Sequence, residues 1–120
     1  MKFLIVDDSS TMRKIVSLAL SGAGHQFEEA ENGRLALDRL SAGGFACVML
    51  DINMPEMNGL EFLEAKAKLP AFAALPVVVL TTQDEEDLRK KALALGAKAF
   101  LVKPFKKEEL IATLGSIGLG

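Results

Sequence analysis

The chain opens MKFLIVDDSS (residues 1–10). Phe3, Leu4, Ile5 and Val6 are apolar without alternation, and the run stops abruptly at two adjacent carboxylates, Asp7 and Asp8. A short continuous apolar run of this kind marks a strand covered on both faces. Four more runs follow: QFEEA (26–30), ACVML (46–50), PVVVL (76–80) and AFLV (99–102). Three of them are as continuous as the first. QFEEA is more polar and reads as an edge strand.

Helical patterns fill the gaps. Met12, Ile15, Val16 and Ala19 recur at helical spacing, after a cap signal at Ser9-Ser10 and before Gly22 and Gly24. Asn32 caps a second helix with Ala36, Leu37 and Leu40 inward. Asn58 starts a third, with Leu60, Leu63 and Ala67 on one stripe, ending before Pro70. Asp84 caps a fourth, with Leu88, Ala92 and Leu95 inward and Gly96 as its stop. A fifth, carrying Leu110, Ile111 and Leu114, follows Pro104. Strand–helix alternation of this spacing demands parallel strands joined by right-handed crossovers. Five units are too few for an eight-stranded barrel. The expected fold is therefore α/β, an open doubly wound sheet with helices on both faces, whose ligand site lies beyond the carboxyl ends of the strands.

The totals bound the rest. A chain of 120 residues, half of them hydrophobic, makes one domain over residues 1–120, and no second domain is expected after the glycine-rich tail LGSIGLG. A formal charge of −2 without a basic run disfavours nucleic acid and anionic membrane surfaces as partners. One cysteine, Cys47, allows no internal disulfide, which suits a reducing cytoplasm, and it reads as a small buried hydrophobe. No signal-peptide pattern or membrane-spanning run is present. His25 reads as a surface residue, the methionines as packing, and Asn58-Gly59 as turn chemistry.

Chemistry gathers where the strands end. Strand 1 delivers Asp7 and Asp8, strand 3 Asp51, strand 4 Thr81 and Thr82, and strand 5 Lys103; strand 2 gives only Glu31, toward the edge. Two carboxylates about 4 Å apart repel by about 4 kcal/mol at an effective dielectric near 20. Three on one rim need compensation, and Lys103 together with one divalent cation neutralises them. An all-oxygen donor set selects a hard ion, Mg²⁺ or Mn²⁺. The sole histidine, His25, falls at the far end of the sheet, which disfavours zinc. A neutralised carboxylate beside a metal, a lysine and a hydroxyl is suited to receiving a phosphoryl group. Asp51, in the middle of the sheet, is the candidate nucleophile, with Lys103 and Thr81 contacting phosphoryl oxygens. An Mg²⁺-dependent aspartyl phosphatase or phosphotransferase acting on small metabolites is the alternative. It needs a group to activate water, and two residues past Asp51 this chain has Asn53, an amide that cannot take the proton. A flavin carrier of the same topology would need a phosphate-cradling loop where DDSST stands.

The stretches FLIVDDSSTMRKIV, EAENG, DINMPEMNGLEFL, PVVVLTT and AFLVKPF together resemble the bacterial two-component response-regulator receiver domain, most closely its single-domain chemotaxis type. The resemblance covers essentially the whole chain. It implies a flavodoxin-like sheet of strand order 2-1-3-4-5 with five helices. It implies that Asp51 is the phosphoacceptor, and that Asp8, Asp51 and the backbone carbonyl of Asn53 bind Mg²⁺ directly while Asp7 acts largely through water. Lys103 would contact the phosphoryl group, next to a bond to Pro104 that is usually cis. Thr81 and the aromatic ring at Phe100 would form a switch read by a downstream protein on the face of helix 4, strand 5 and helix 5. A histidine kinase would be the phosphodonor, and a monomer is expected. The chain would be a signalling phosphoprotein rather than a turnover enzyme, with autodephosphorylation tuned from Asn53 and Gln83. The chemotaxis type commonly has tyrosine where this chain has Phe100, and the missing hydroxyl bears on the choice of target.

Overall fold

A computed structural model describes residues 1–52, 54, 57–82 and 85–119. Ten elements alternate: β1 Lys2–Val6, α1 Ser10–Gly22, β2 Gln26–Ala30, α2 Gly33–Leu40, β3 Cys47–Asp51, α3 Gly59–Ala67, β4 Val77–Thr81, α4 Glu86–Ala94, β5 Ala99–Val102 and α5 Lys107–Ser116. The five strands form one parallel sheet in the order β2-β1-β3-β4-β5. Among the described residues no helix is long and apolar enough to cross a membrane.

The continuous apolar runs have a direct explanation in the two-sided core. Leu4, Val6, Val48, Leu50, Val77 and Val79 point to one face, where Ala36 and Leu40 of α2, Phe62 and Leu63 of α3 and Ala92 of α4 cover them. The alternate residues Phe3, Ile5, Cys47, Met49, Val78 and Leu80 point to the other, under Val16, Ala19 and Leu20 of α1 and Leu110 and Leu114 of α5. Successive side chains leave a strand on opposite faces, so burial on both removes the polar alternation. β2 lies at the edge, as its polarity indicates. There Glu28 pairs with Lys2 at 2.5 Å and with Arg39 at 3.7 Å.

Several expectations about helix faces and caps need revision. Ile15 is exposed rather than inward, because the face of α1 that meets the sheet is set by Met12, Val16, Ala19 and Leu20. Ala67 is likewise exposed, since Phe62, Leu63 and Lys66 turn inward from α3 instead. Ser9, Asn32 and Asn58 cap α1, α2 and α3 through their side chains, and Asn58 and Glu61 complete a capping box. Asp84 lies outside the described residues, and Glu85 occupies the N-cap position of α4 without a side-chain bond. His25 is half-buried, its ring tilted against Phe3 at 4.9 Å between centroids, so the surface reading was wrong.

Asn58-Gly59 is not a free-standing turn. Gly59 begins α3, and a Cβ there would sit 2.6 Å from the Asp51 carbonyl oxygen and 2.8 Å from the Ile52 Cα. Its amide donates to the Ile52 carbonyl at 2.9 Å. Gly33, at the start of α2, is equally confined: its amide donates to the Met57 carbonyl at 3.1 Å, an oxygen a Cβ would approach to 2.8 Å. Glycine is required at both places for backbone proximity, and the two contacts fasten the segment after β3 to α2 and α3. Gly59→Ala should lower stability by about 1–3 kcal/mol, the usual cost of overpacking a tight site, read from urea unfolding.

Two buried polar groups complete the core. The Lys66 ammonium donates to the Ala73 carbonyl at 3.2 Å, tying α3 to the connection before β4, and burial lowers its pKa. Cys47 is fully buried, and burial pushes its thiol up to about 12 from 9.0. The native thiol should therefore resist Ellman's reagent except through global opening. The sign of its pH effect follows. Below pH 9.0 both folded and unfolded thiols are protonated and the contribution is whole; as pH rises toward about 12 the unfolded chain ionises first, and stability is lost. Between about pH 8 and 11 the wild type should lose more stability than Cys47→Ala, measured by denaturant unfolding.

Candidate functional site

The register of the sheet assembles the site in steps. Val6 is paired with Leu50, which brings Asp7 level with Asp51. Asp51 is paired with Leu80, so Thr81 stands one residue further along, and Thr81 is paired with Val102, so Lys103 stands one further still. Four strands thus present their carboxyl ends on one rim, at the place where the chain order reverses between β1 and β3. Glu31, after the edge strand β2, is exposed, and Thr82 also faces solvent. Lys103 follows β5, its amide donating to the Thr81 carbonyl at 2.6 Å, and the Lys103–Pro104 peptide bond is cis.

The side chains converge. The Lys103 ammonium donates to Asp7 Oδ2 at 2.7 Å and lies 3.4 Å from Asp51 Oδ1. Asp7, Asp51 and Thr81 are buried, whereas Asp8 is exposed. Asp7 Oδ1 accepts from the Ser9 amide at 2.9 Å, so both oxygens of this carboxylate are already hydrogen-bonded. Asp8 makes no hydrogen bond or ion pair with any described residue. Oxygens of Asp7, Asp8 and Asp51 lie within 4.8 Å of one another. One ammonium against three carboxylates leaves a surplus of negative charge in a partly buried pocket, where like charges repel most strongly.

This donor set fits a hard divalent cation. It offers oxygen alone; the soft candidates are remote, with Cys47 inside the core and His25 beyond the opposite ends of the strands. Asp8 and Asp51 are the oxygens an ion could take directly. Asp7, with both oxygens engaged, would reach it through water. Asn53, whose backbone carbonyl was expected as a further ligand, lies outside the described residues, as does Gln83. Sequence reasoning thus brought Asp7, Asp8, Asp51, Thr81 and Lys103 to one rim; the structure draws the three acids and Lys103 together and places Thr81 at the end of the neighbouring β4.

Phe100 is on β5, away from the acids, half-buried against the α2–α3–α4 face of the core. The Arg89 guanidinium of α4 covers its ring at 4.9 Å. One residue at the rim was missed. Arg13, on the first turns of α1, donates to the Asp7 carbonyl oxygen at 2.6 Å and to Glu29 of β2 at 3.0 Å. In the sequence it is one more cation on an amphipathic helix, and only the packing of β1 against β2 gives it a target.

Comparisons with known proteins agree with this geometry. The family model described as the response regulator receiver domain matches residues 3–115. Chemotaxis protein CheY1 of Helicobacter pylori is 39% identical over 122 residues, spanning 97% of this chain and 98% of that protein. The transcriptional regulatory protein SrrA of Staphylococcus aureus is 32% identical over 110 residues, which cover 92% of this chain and 44% of that longer protein. The crystal structure of chemotaxis protein CheY4 from Vibrio cholerae superposes with a TM-score of 0.91 at 38% identity over 97% of both chains. A parallel five-stranded sheet with an acidic rim closed by one lysine, matched over nearly its whole length by these proteins, places the chain in the response regulator receiver family.

Proposed function

We propose that the chain accepts a phosphoryl group on Asp51 from a phosphohistidine of a histidine kinase, with Mg²⁺ or Mn²⁺ bound, and then binds a downstream protein differently. The observation that carries the reading is the contact of a single ammonium, Lys103, with Asp7 and Asp51 in a pocket that holds three carboxylates. Asp8, Asp51 and the Asn53 carbonyl would hold the ion, with Asp7 joined through water. When bound, the ion supplies positive charge that offsets the carboxylates and the phosphoryl oxygens.

The chain's own groups do the rest. An oxygen of Asp51 attacks phosphorus, forming the acyl phosphate bond as the phosphorus–nitrogen bond to the donor imidazole breaks. The imidazole nitrogen leaves with the bonding pair and takes a proton from solvent. Lys103, 3.4 Å from Asp51 Oδ1, needs only a small movement to pair with a phosphoryl oxygen. Thr81, buried at the end of β4, supplies a hydroxyl to another. Its displacement draws the Phe100 ring inward, and the α4–β5–α5 face changes for its partner. That partner belongs to chemotaxis-type or other two-component signalling in the cytoplasm, and the chain acts as a monomer. The metabolite phosphatase reading lacks a base: Asn53 stands where the water-activating acid is needed, and the one histidine is at the wrong end of the sheet.

Incubation with acetyl phosphate and Mg²⁺ should add one phosphoryl group, about 80 daltons, and Asp51→Asn should abolish the gain; an equal gain in the variant would move the acceptor elsewhere. Lys103→Ala should separate metal binding from signalling. Removing the ammonium deepens the negative potential, so Mg²⁺ should bind more tightly, by about 1–2 kcal/mol in a partly buried site, while the phosphorylated form no longer gains affinity for its partner. Calorimetric titration of Mg²⁺ into both proteins checks the direction.

A further inference from the structure

We propose that Arg13 is a positioning residue for the metal-binding rim: by holding the peptide between Asp7 and Asp8, it aims the one carboxylate that no side chain fixes. The inference rests on the metal reading given above and concerns a residue that reading does not use.

Asp7 is fixed at every polar atom. Its amide donates to the Ala30 carbonyl at 3.1 Å, Oδ1 accepts from Ser9 and Oδ2 from Lys103. Its carbonyl oxygen accepts from an Arg13 Nη at 2.6 Å. That carbonyl belongs to the same peptide unit as the Asp8 amide, and a peptide unit turns as one plane. The side chain of Asp8 is exposed and makes no hydrogen bond or ion pair among the described residues, so its direction is inherited from the backbone. Arg13 is well placed for this work. Helical side chains lean toward the helix N-terminus, which carries the guanidinium from the first turns of α1 back over the loop it must hold. Its Nε donates to Glu29 at 3.0 Å, so β2 braces the guanidinium from the side. The planar, forked donor set lets one side chain serve both acceptors, which a lysine ammonium on a flexible stem does poorly.

The pairing also sets the electrostatic role. Glu29 offsets the positive charge of Arg13, so the arginine does not repel an incoming cation as a lone charge would. Its influence on the metal is therefore orientation of a ligand. Beyond the guanidinium lies an open cleft of about 260 Å³, lined also by Glu31, Leu35 and Arg39. A shorter side chain at position 13 is replaced by water there, and the fold survives.

The test is Mg²⁺ binding to the full chain by calorimetry, with amide hydrogen exchange on the metal-free protein. Arg13→Ala should weaken Mg²⁺ binding about tenfold, as loss of a group supporting a metal ligand does. Arg13→Lys should recover only part of that loss, and Glu29→Gln should fall between wild type and Arg13→Ala. In metal-free Arg13→Ala the Ser9 amide, which donates to Asp7 Oδ1 across the same turn, should exchange faster while the Met49 amide in β3 keeps its protection. At saturating Mg²⁺ the phosphorylation rate should return to within about twofold of wild type, since the ligand is misdirected rather than lost. Unchanged Mg²⁺ affinity in Arg13→Ala overturns the proposal. So does equal acceleration of Ser9 and Met49 exchange, which would make Arg13 a general stabiliser. If the wild type takes up no Mg²⁺, the metal reading itself fails, an outcome distinct from either.

Discussion

Three carboxylates from two separate strands, Asp7, Asp8 and Asp51, share one pocket with a single ammonium, and the rest of the molecule is arranged around that crowding. Left alone the acids would repel one another. They are held by a sheet whose core is closed on both faces and by a lysine delivered from the far edge strand. One positive charge pairs Asp7 closely and Asp51 more loosely, and Asp8 is left to solvent. The residual charge is the reservoir from which affinity for a doubly charged ion would come. A pocket that satisfied all three acids internally would have no reason to bind one.

The backbone around the pocket is as constrained as its charges. Gly59 admits α3 against the Asp51 carbonyl, and Gly33 admits α2 against Met57, so the segment after β3 is gripped from two helices. Capping side chains at Ser9, Asn32 and Asn58 end the loops crisply at the carboxyl side of β1, β2 and β3. Function at such a rim relies on loops, and the connections after β1 and β2 are closed by the Ser9 and Asn32 side-chain caps. Thr81, Phe100 and Arg89 lie outside that grip, on β4, β5 and α4.

The strands, the edge position of β2 and the acidic rim were legible in the sequence because each follows from a strong periodic or positional signal, whereas the edge position of β5 left none. Four unbroken apolar runs required two covered faces, and parallel crossovers required that residues following them meet at one end. Helix faces were less legible. Ile15 was placed inward because spacing alone cannot tell a buried stripe from its neighbour when both are apolar, and the packing of Val16 and Leu20 decided the matter. Lys66 and Arg13 were invisible for another reason: a lysine or arginine on a helix is normally solvated, and only tertiary contacts supply the Ala73 and Asp7 carbonyls that draw them in. Gly59 was recognised as special but for the wrong cause, since nearness of the Asp51–Ile52 backbone leaves no trace in local sequence.

The two sides of the sheet end differently. β2 faces outward with Glu28 bridged to Lys2 beneath it and Arg39 beside it, and with Gln26 and Glu29 in solvent. A chain seeking to extend the ladder there would have to lay its own side chains alongside these charges. Charge along that margin disfavours fibril-type stacking when many copies crowd together.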